Sequence, residues 1–160
     1  MNPMIIGISH GQSKPTSVED FLNPFVNEAL PILQTGISIN GKLLSVRIRA
    51  FICDSPARAF IKGTANFNSF HGCLKCTAVG ERSQSLRTNV YPLAKASLRT
   101  DEGFRNWAYG DHYQVYKTRE NGKLKKVFLK SPLLRLPIDM VEDITVKHIK
   151  RSGQQPRLCK

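Results

Sequence analysis

The stretch 44–58 constrains the fold most strongly, because a strand pattern runs into a helix start with an aspartate between them. Apolar and more polar residues alternate over about ten positions, which is the period of a strand packed on one face. The apolar positions are Leu44, Val46, Ile48, Ala50 and Ile52. Ser55 then predicts a helix cap, with Pro56 at the first helical position. The order of strand, acid and helix predicts an α/β fold, with Asp54 at the carboxyl end of a central strand.

Asp54 has two interpretations. The carboxyl edge of a central strand is a common place for a catalytic or metal-binding carboxylate, because such edges open into the ligand crevice of an α/β sheet. The simpler interpretation is that the carboxylate only helps to cap the following helix. The residues around Asp54 leave both open.

A further strand and helix are predicted upstream. The apolar run at residues 4–8 indicates a buried strand. Ser17 and Asp20 occupy the two reciprocal positions of a capping box, and Gly36 marks the end of the helix that they begin. Apolar residues at three- and four-residue spacing give this helix one broad stripe: Val18, Phe21, Leu22, Phe25, Val26, Ala29, Leu30 and Leu33.

Length and hydropathy favour one globular domain inside the cell. The chain has 160 residues, of which 41% are hydrophobic, enough for a core. No apolar run approaches the roughly 18 residues of a membrane span, and the amino terminus lacks the pattern of a secretory signal. We therefore expect no membrane partner.

The charge is strongly and unevenly basic. The net charge is +12, and residues 117–160 hold twelve basic and four acidic residues, a net of +8. Such a balance favours a polyanionic partner, with nucleic acid ahead of anionic membrane because no amphipathic apolar face accompanies the charge. The alternative is a solvated basic surface without a partner.

Cys73 and Cys76 are separated by two residues, a gap that lets two thiolates grip one tetrahedral zinc ion. His71 and His112 are the candidates for the remaining ligands, and Cys53 is an alternative. The four cysteines of the chain do not resemble a disulfide framework, so we expect a reducing compartment. A redox pair, or two unrelated thiols, stays open as the other interpretation of the motif.

Four segments are predicted from these patterns. Residues 1–63 hold the strands and helices of the α/β core, and residues 64–130 form an irregular insertion with the cysteine motif and a basic hairpin turning at Asn121-Gly122. Residues 131–146 are a return segment, and residues 147–160 are a basic, disordered tail. Aromatic residues before the hairpin predict a small satellite core, with base stacking as the alternative: Phe104, Trp107, Tyr109, Tyr113 and Tyr116.

Several short blocks stand out along the chain: Ile6-Gly7, Lys14-Pro15, Asp20-Phe21-Leu22, Phe25-Val26, Glu28, Gly36-Ile37, Cys53-Asp54-Ser55-Pro56-Ala57-Arg58-Ala59-Phe60, Lys62-Gly63 and Gly72-Cys73-Leu74-Lys75-Cys76. Together these blocks resemble the cut-and-paste DNA transposases of animals that are related to the CACTA type. The resemblance covers about residues 4–80 and, more loosely, residues 99–143. The combination of the block Cys53–Arg58 with the later block Gly72–Cys76 is fairly specific.

This resemblance implies a partial RNase H-like mixed sheet with helices, interrupted by the zinc insertion. In such enzymes three acids hold two Mg²⁺ ions, which activate the attacking oxygen and stabilise the departing one at a DNA phosphate. By position, Asp54 is similar to the second acid, and Cys73 and Cys76 belong to the insertion before the third. DNA is then the expected partner and the nucleus the expected location, with no small-molecule substrate and homo-oligomerisation left open.

The departures from the family pattern bear on activity. Residues 1–16 contain no Asp or Glu for a first acid, and after Asp143 the sequence turns to the basic stretch 147–151, which does not resemble the family. The basic hairpin at 117–130 also looks inserted. We therefore predict a partial or truncated copy that binds DNA and structural Zn²⁺ but does not cut DNA alone, with Mg²⁺ needed only in an intact parent enzyme.

Two other classes stay open. One is a zinc-stabilised module that contacts RNA or protein and has no catalytic role. The other is an intact metal nuclease in which Asp54 acts together with Asp139 or Glu142.

Overall fold

The longest helix, α1, spans Val18–Thr35 and forms as its sequence predicts. The computed structural model of the chain describes residues 15–91, 95–120 and 123–146. At the start of α1 the Ser17 hydroxyl accepts a hydrogen bond from the Asp20 amide at 3.1 Å. The helix ends at Gly36, whose φ of +78° suits glycine. The buried side of α1 carries Val18, Leu22 and Val26 from the predicted stripe.

The long strand predicted for residues 44–52 is wrong. Strand β1 (Ile37–Ile39) pairs antiparallel with β2 (Lys42–Leu44), and β3 is limited to Phe51–Cys53. Residues 45–50 belong to no strand, although Val46 and Ile48 are the half-buried positions, as the alternation predicts. A strand also needs a neighbour to accept its backbone hydrogen bonds, and no described residue pairs with this segment.

Strand β3 has a partner from the far end of the described chain. It pairs in parallel with the last described strand, which spans Ile144–Val146 and places Phe51 opposite Ile144. The chain between them forms α2 (Ser55–Lys62), the hairpin of β4 (Glu81–Ser83) with β5 (Thr88–Val90), and α3 (Asp101–Arg105).

The basic hairpin forms before the chain returns to the core. Strand β6 (Val115–Glu120) pairs antiparallel with β7 (Lys123–Phe128), and the last described strand is therefore β8. Short 3-10 helices lie at Gly110–His112 and Pro132–Arg135. The α/β class is confirmed at this coarse level. The described residues form four two-stranded sheets, and the RNase H-like mixed sheet stays a prediction.

One hydrophobic core joins α1, α2, α3 and the segment 133–144. Leu133 and Met140 are fully enclosed, as are Val26 of α1 and Phe104 of α3. The return segment therefore supplies much of the core, although its regular structure is limited to a short 3-10 helix and strand β8.

The predicted aromatic cluster is part of this core. Trp107 stacks on Phe128, with ring centroids 5.2 Å apart and 3° between the ring planes, and also contacts Tyr113 edge-on. Phe104 packs against Tyr113 in the same cluster. Tyr116 does not join it, because its side chain is 52% exposed.

Three predicted features lie outside the described residues: the strand at 4–8, the turn residues Asn121 and Gly122, and the tail at 147–160. Among the residues that the structure describes, no helix is both long and apolar enough to cross a bilayer.

Candidate functional site

Asp54 caps helix α2. Its Oδ1 accepts a hydrogen bond from the Ala57 amide at 2.7 Å, and its own backbone is extended, as an N-cap requires. The prediction that Ser55 is the cap is wrong, since Ser55 is the first helical residue and Pro56 the second. A carboxylate at the cap also meets the positive end of the helix dipole, an attraction that a serine hydroxyl does not offer. The capping interpretation of Asp54 is confirmed, and its catalytic role stays a prediction.

The later acids have structural partners as well. Asp139 Oδ1 accepts hydrogen bonds from the amides of Val141 and Glu142 at 2.7 and 2.8 Å. The Glu142 carboxylate lies 2.7 Å from Lys75 Nζ. Asp143 Oδ2 accepts from the Asp139 amide at 2.8 Å and closes the same turn. These contacts hold the turn that leads into β8.

Cys73 and Cys76 come together, as their spacing predicts. Their sulfur atoms are 3.3 Å apart, and Cys76 is fully buried. The loop between them is fixed from both sides. Arg99 Nε donates to the Cys73 carbonyl at 3.1 Å, and Lys75 Nζ donates to the Val141 carbonyl at the same distance. The described residues bring no set of three or more His, Cys, Asp or Glu side chains together as a metal site.

The two candidate histidines play different roles. His112 is fully buried, and its Nδ1 lies 2.7 Å from the carbonyl oxygen of His71. Because a carbonyl only accepts, Nδ1 carries the proton and Nε2 keeps its lone pair, which has no partner among the described residues. Burial lowers the pKa of His112 to about 4, so the ring is neutral at pH 7. The His71 ring instead faces Asp111, at 3.9 Å.

Sequence reasoning missed three cations that are buried fully or in part, Arg58, Lys62 and Arg99, of which Arg58 and Arg99 lie near Cys73. Burial lowers the pKa of Lys62 to about 7; its Nζ has no hydrogen-bond partner in the described structure and lies 5.2 Å from the Phe104 ring centroid. Burial also lowers the pKa of Arg58 and Arg99, while negative charge on Cys73 acts in the opposite direction on both. The four-residue spacing of Arg58 and Lys62 was the available signal, because it places both on one side of α2.

Strands β6 and β7 form an antiparallel pair with a strongly positive charge, here called the basic ribbon (residues 115–120 and 123–128). Its sequence holds five basic residues and one acidic residue. Lys117 stands directly opposite Lys126, and Thr118 opposite Lys125. All three lysines are exposed, as is Tyr116.

The root of the basic ribbon is fixed to the body of the protein. The backbone N–H of Gln114 donates to the Gly63 carbonyl, and its side-chain Nε2 donates to the Thr64 carbonyl, each at 2.8 Å. Gly63, with a φ of +66°, approaches the chain so closely that an added Cβ would lie 2.5 Å from the Leu129 carbonyl oxygen. Phe128 completes the attachment by stacking on Trp107. The ribbon is thus an extension of the core.

Comparisons with known proteins identify no relative. No protein-family model matches the chain, and no curated protein or solved structure shows significant similarity to it.

Proposed function

We propose that this protein is a DNA-binding fragment derived from a transposase, located in the nucleus, stabilised by zinc and unable to cut DNA by itself. The observation that carries the proposal is the exposed, positively charged ribbon on a fixed root, in a chain of net charge +12. When basic side chains neutralise DNA phosphates, the condensed counterions of the DNA are released. A positively charged surface of this kind therefore binds DNA strongly. The proposed transposase origin rests on the sequence blocks Cys53–Arg58 and Gly72–Cys76.

The inactivity rests on what Asp54 does. Its carboxylate accepts a hydrogen bond from the first turn of α2. The two other acids that were considered for a metal site also have structural contacts. Asp139 accepts hydrogen bonds from the turn that follows it, and Glu142 forms an ion pair with Lys75. Two-metal phosphodiester chemistry needs several carboxylates converging on one place. Plasmid nicking in Mg²⁺ that Asp54→Asn abolishes would contradict this part of the proposal.

The zinc component has partial support from geometry. Zn–S bonds of about 2.3 Å in a tetrahedral site place two sulfurs about 3.8 Å apart, so Cys73 and Cys76 at 3.3 Å fit two ligand positions after a small opening. His112 has the tautomer that a metal ligand needs. Zinc bound there would hold the loop closed, and the remaining ligands are not assembled among the described residues.

DNA binding is tested by fluorescence anisotropy with a labelled duplex at several salt concentrations. We expect association at low salt, with log K falling steeply and linearly against log[salt] and little sequence preference. Absence of association at low salt would overturn the proposal.

Zinc binding is tested by the metal content of the purified protein. We expect about one zinc per chain, lost in the double variant Cys73→Ser/Cys76→Ser together with part of the thermal stability. Cys159→Ser, at the one cysteine that is not a candidate ligand, is the matched control and should keep the zinc. Equal zinc content in all three proteins, or none in any, would remove the zinc component while leaving DNA binding untouched.

A further inference from the structure

The two faces of the basic ribbon both carry positive charge. Side chains alternate between the faces of a strand, so Lys117 and Lys126 share the face that carries Phe128, while Lys125 lies on the other with Tyr116. Phe128 is partly buried and packs against the core, yet both lysines on its face are exposed. The ribbon therefore continues past the surface of the protein, and a ligand can reach both of its faces.

The lysine pair points to an anionic ligand. Like charges directly opposite each other on two strands destabilise the pairing, and Lys117 and Lys126 occupy such a position. Among the side chains that the structure describes, no acid forms an ion pair with either of them. An external anion relieves the repulsion, and a row of phosphates does so along the length of the strands.

We propose that the basic ribbon enters the major groove of duplex DNA, an inference that rests on the DNA binding proposed above. A two-stranded ribbon fits the major groove of B-form DNA, which is about 12 Å wide and bounded by two rows of phosphates. In this arrangement, lysines on the two faces of the ribbon contact the two rows of phosphates that border the groove. Strands of six residues extend about 20 Å, the length of about six base pairs.

Duplex RNA is the weaker candidate, because its A-form major groove is deep and too narrow for side chains to read. The exposed Tyr116 beside the lysines adds a flat apolar surface that suits thymine methyl groups or sugars lining a groove. The ribbon's attachment through Gln114 and Phe128 fixes its direction, so little ordering entropy is lost when it enters the groove.

The test compares variants of the full chain on one DNA duplex. Lys117→Ala/Lys126→Ala removes two phosphate contacts and should reduce the slope of log K against log[salt] by about 1.8, with a loss of affinity on the order of a hundredfold at about 50 mM salt. Lys117→Arg/Lys126→Arg should keep the wild-type slope. The matched control Lys42→Ala/Lys95→Ala removes the same charge from exposed positions elsewhere and should leave the slope unchanged.

The groove is identified by competition. Methyl green, which occupies the major groove, should displace the protein, whereas netropsin in the minor groove should not. If the wild type binds but the ribbon variants match it, the ribbon inference is overturned and DNA binding belongs to another surface. Displacement by netropsin alone, or equal affinity for an RNA duplex of the same sequence, also overturns it. Failure of the wild type to bind any duplex would remove the proposed function itself.

Discussion

The return segment 131–146 and the basic ribbon are close together in sequence but differ in regularity and in burial. The regular structure of the return segment is limited to a 3-10 helix of four residues and the three residues of β8, yet Leu133 and Met140 are fully enclosed in the core. The ribbon is the most regular sheet of the described chain, yet Tyr116 is half-exposed and Lys117 faces another lysine. Burial of apolar side chains stabilises this fold more than regular secondary structure does. The ribbon is less stable for its length, because it exposes charged side chains.

Leu133→Ala should produce the largest effect of this comparison. The side chain is fully buried, so the cavity and lost contacts should lower the free energy of unfolding by about 2–5 kcal/mol, measured by urea denaturation. Val115→Ala in the ribbon is the matched control, and because Val115 is 46% exposed it should cost about 1 kcal/mol or less. Equal losses at the two positions would break the distinction between core and ribbon.

Acidification should weaken the core through His112. The pKa of the imidazole is about 4 when folded and 6.5 in its ordinary state, so the unfolded chain binds the extra proton first. The contribution of His112 to the free energy of unfolding is therefore fully present above pH 6.5. It falls by on the order of 2–3 kcal/mol as the pH is lowered toward 4. His112→Asn, measured with a chelator present, should show a correspondingly flatter stability profile. Identical profiles for both proteins would show that His112 is not buried as a neutral ring.

Asp54→Ala should have an intermediate effect. Loss of the cap on α2 should lower the free energy of unfolding by about 1 kcal/mol. Duplex binding should stay unchanged, because the ribbon is attached at Gly63 and Thr64, at the opposite end of α2 from Asp54. Asp54→Asn retains a capping oxygen and should recover most of that stability. Should Asp54→Asn cost as much as Asp54→Ala, the negative charge would matter beyond the cap.

Lys126→Glu should give the smallest change, and in the opposite direction. Replacing a like-charge pair across the strands with an opposite-charge pair should stabilise the ribbon by a few tenths of a kcal/mol at low salt. Slower amide hydrogen exchange at Lys117 and Thr118 measures this, and the difference should shrink in high salt. Duplex affinity should fall in the same variant. A ribbon that is stabilised and still binds as tightly would show that the lysine pair is not the DNA contact.

Local features were predictable because neighbouring residues form them. The capping box and apolar spacing place α1 within a residue of its observed ends, and the two-residue gap brings Cys73 and Cys76 within contact distance. The predicted strand at 44–52 failed for the opposite reason, since alternation requires a pairing partner and β8 reaches only Phe51–Cys53. Ser55 and Asp54 are both good caps, and one residue of register decided between them.

By itself the sequence determined the α/β class, the charge, the helix α1 and the cysteine pair, because each depends on composition or on contacts a few residues apart. Only the tertiary structure decided that Lys62 is buried beside Phe104, that the His71 carbonyl fixes the tautomer of His112, and that β3 pairs with β8. These contacts join residues separated by 41 positions or more. Their formation depends on how the whole core packs, which no local pattern encodes.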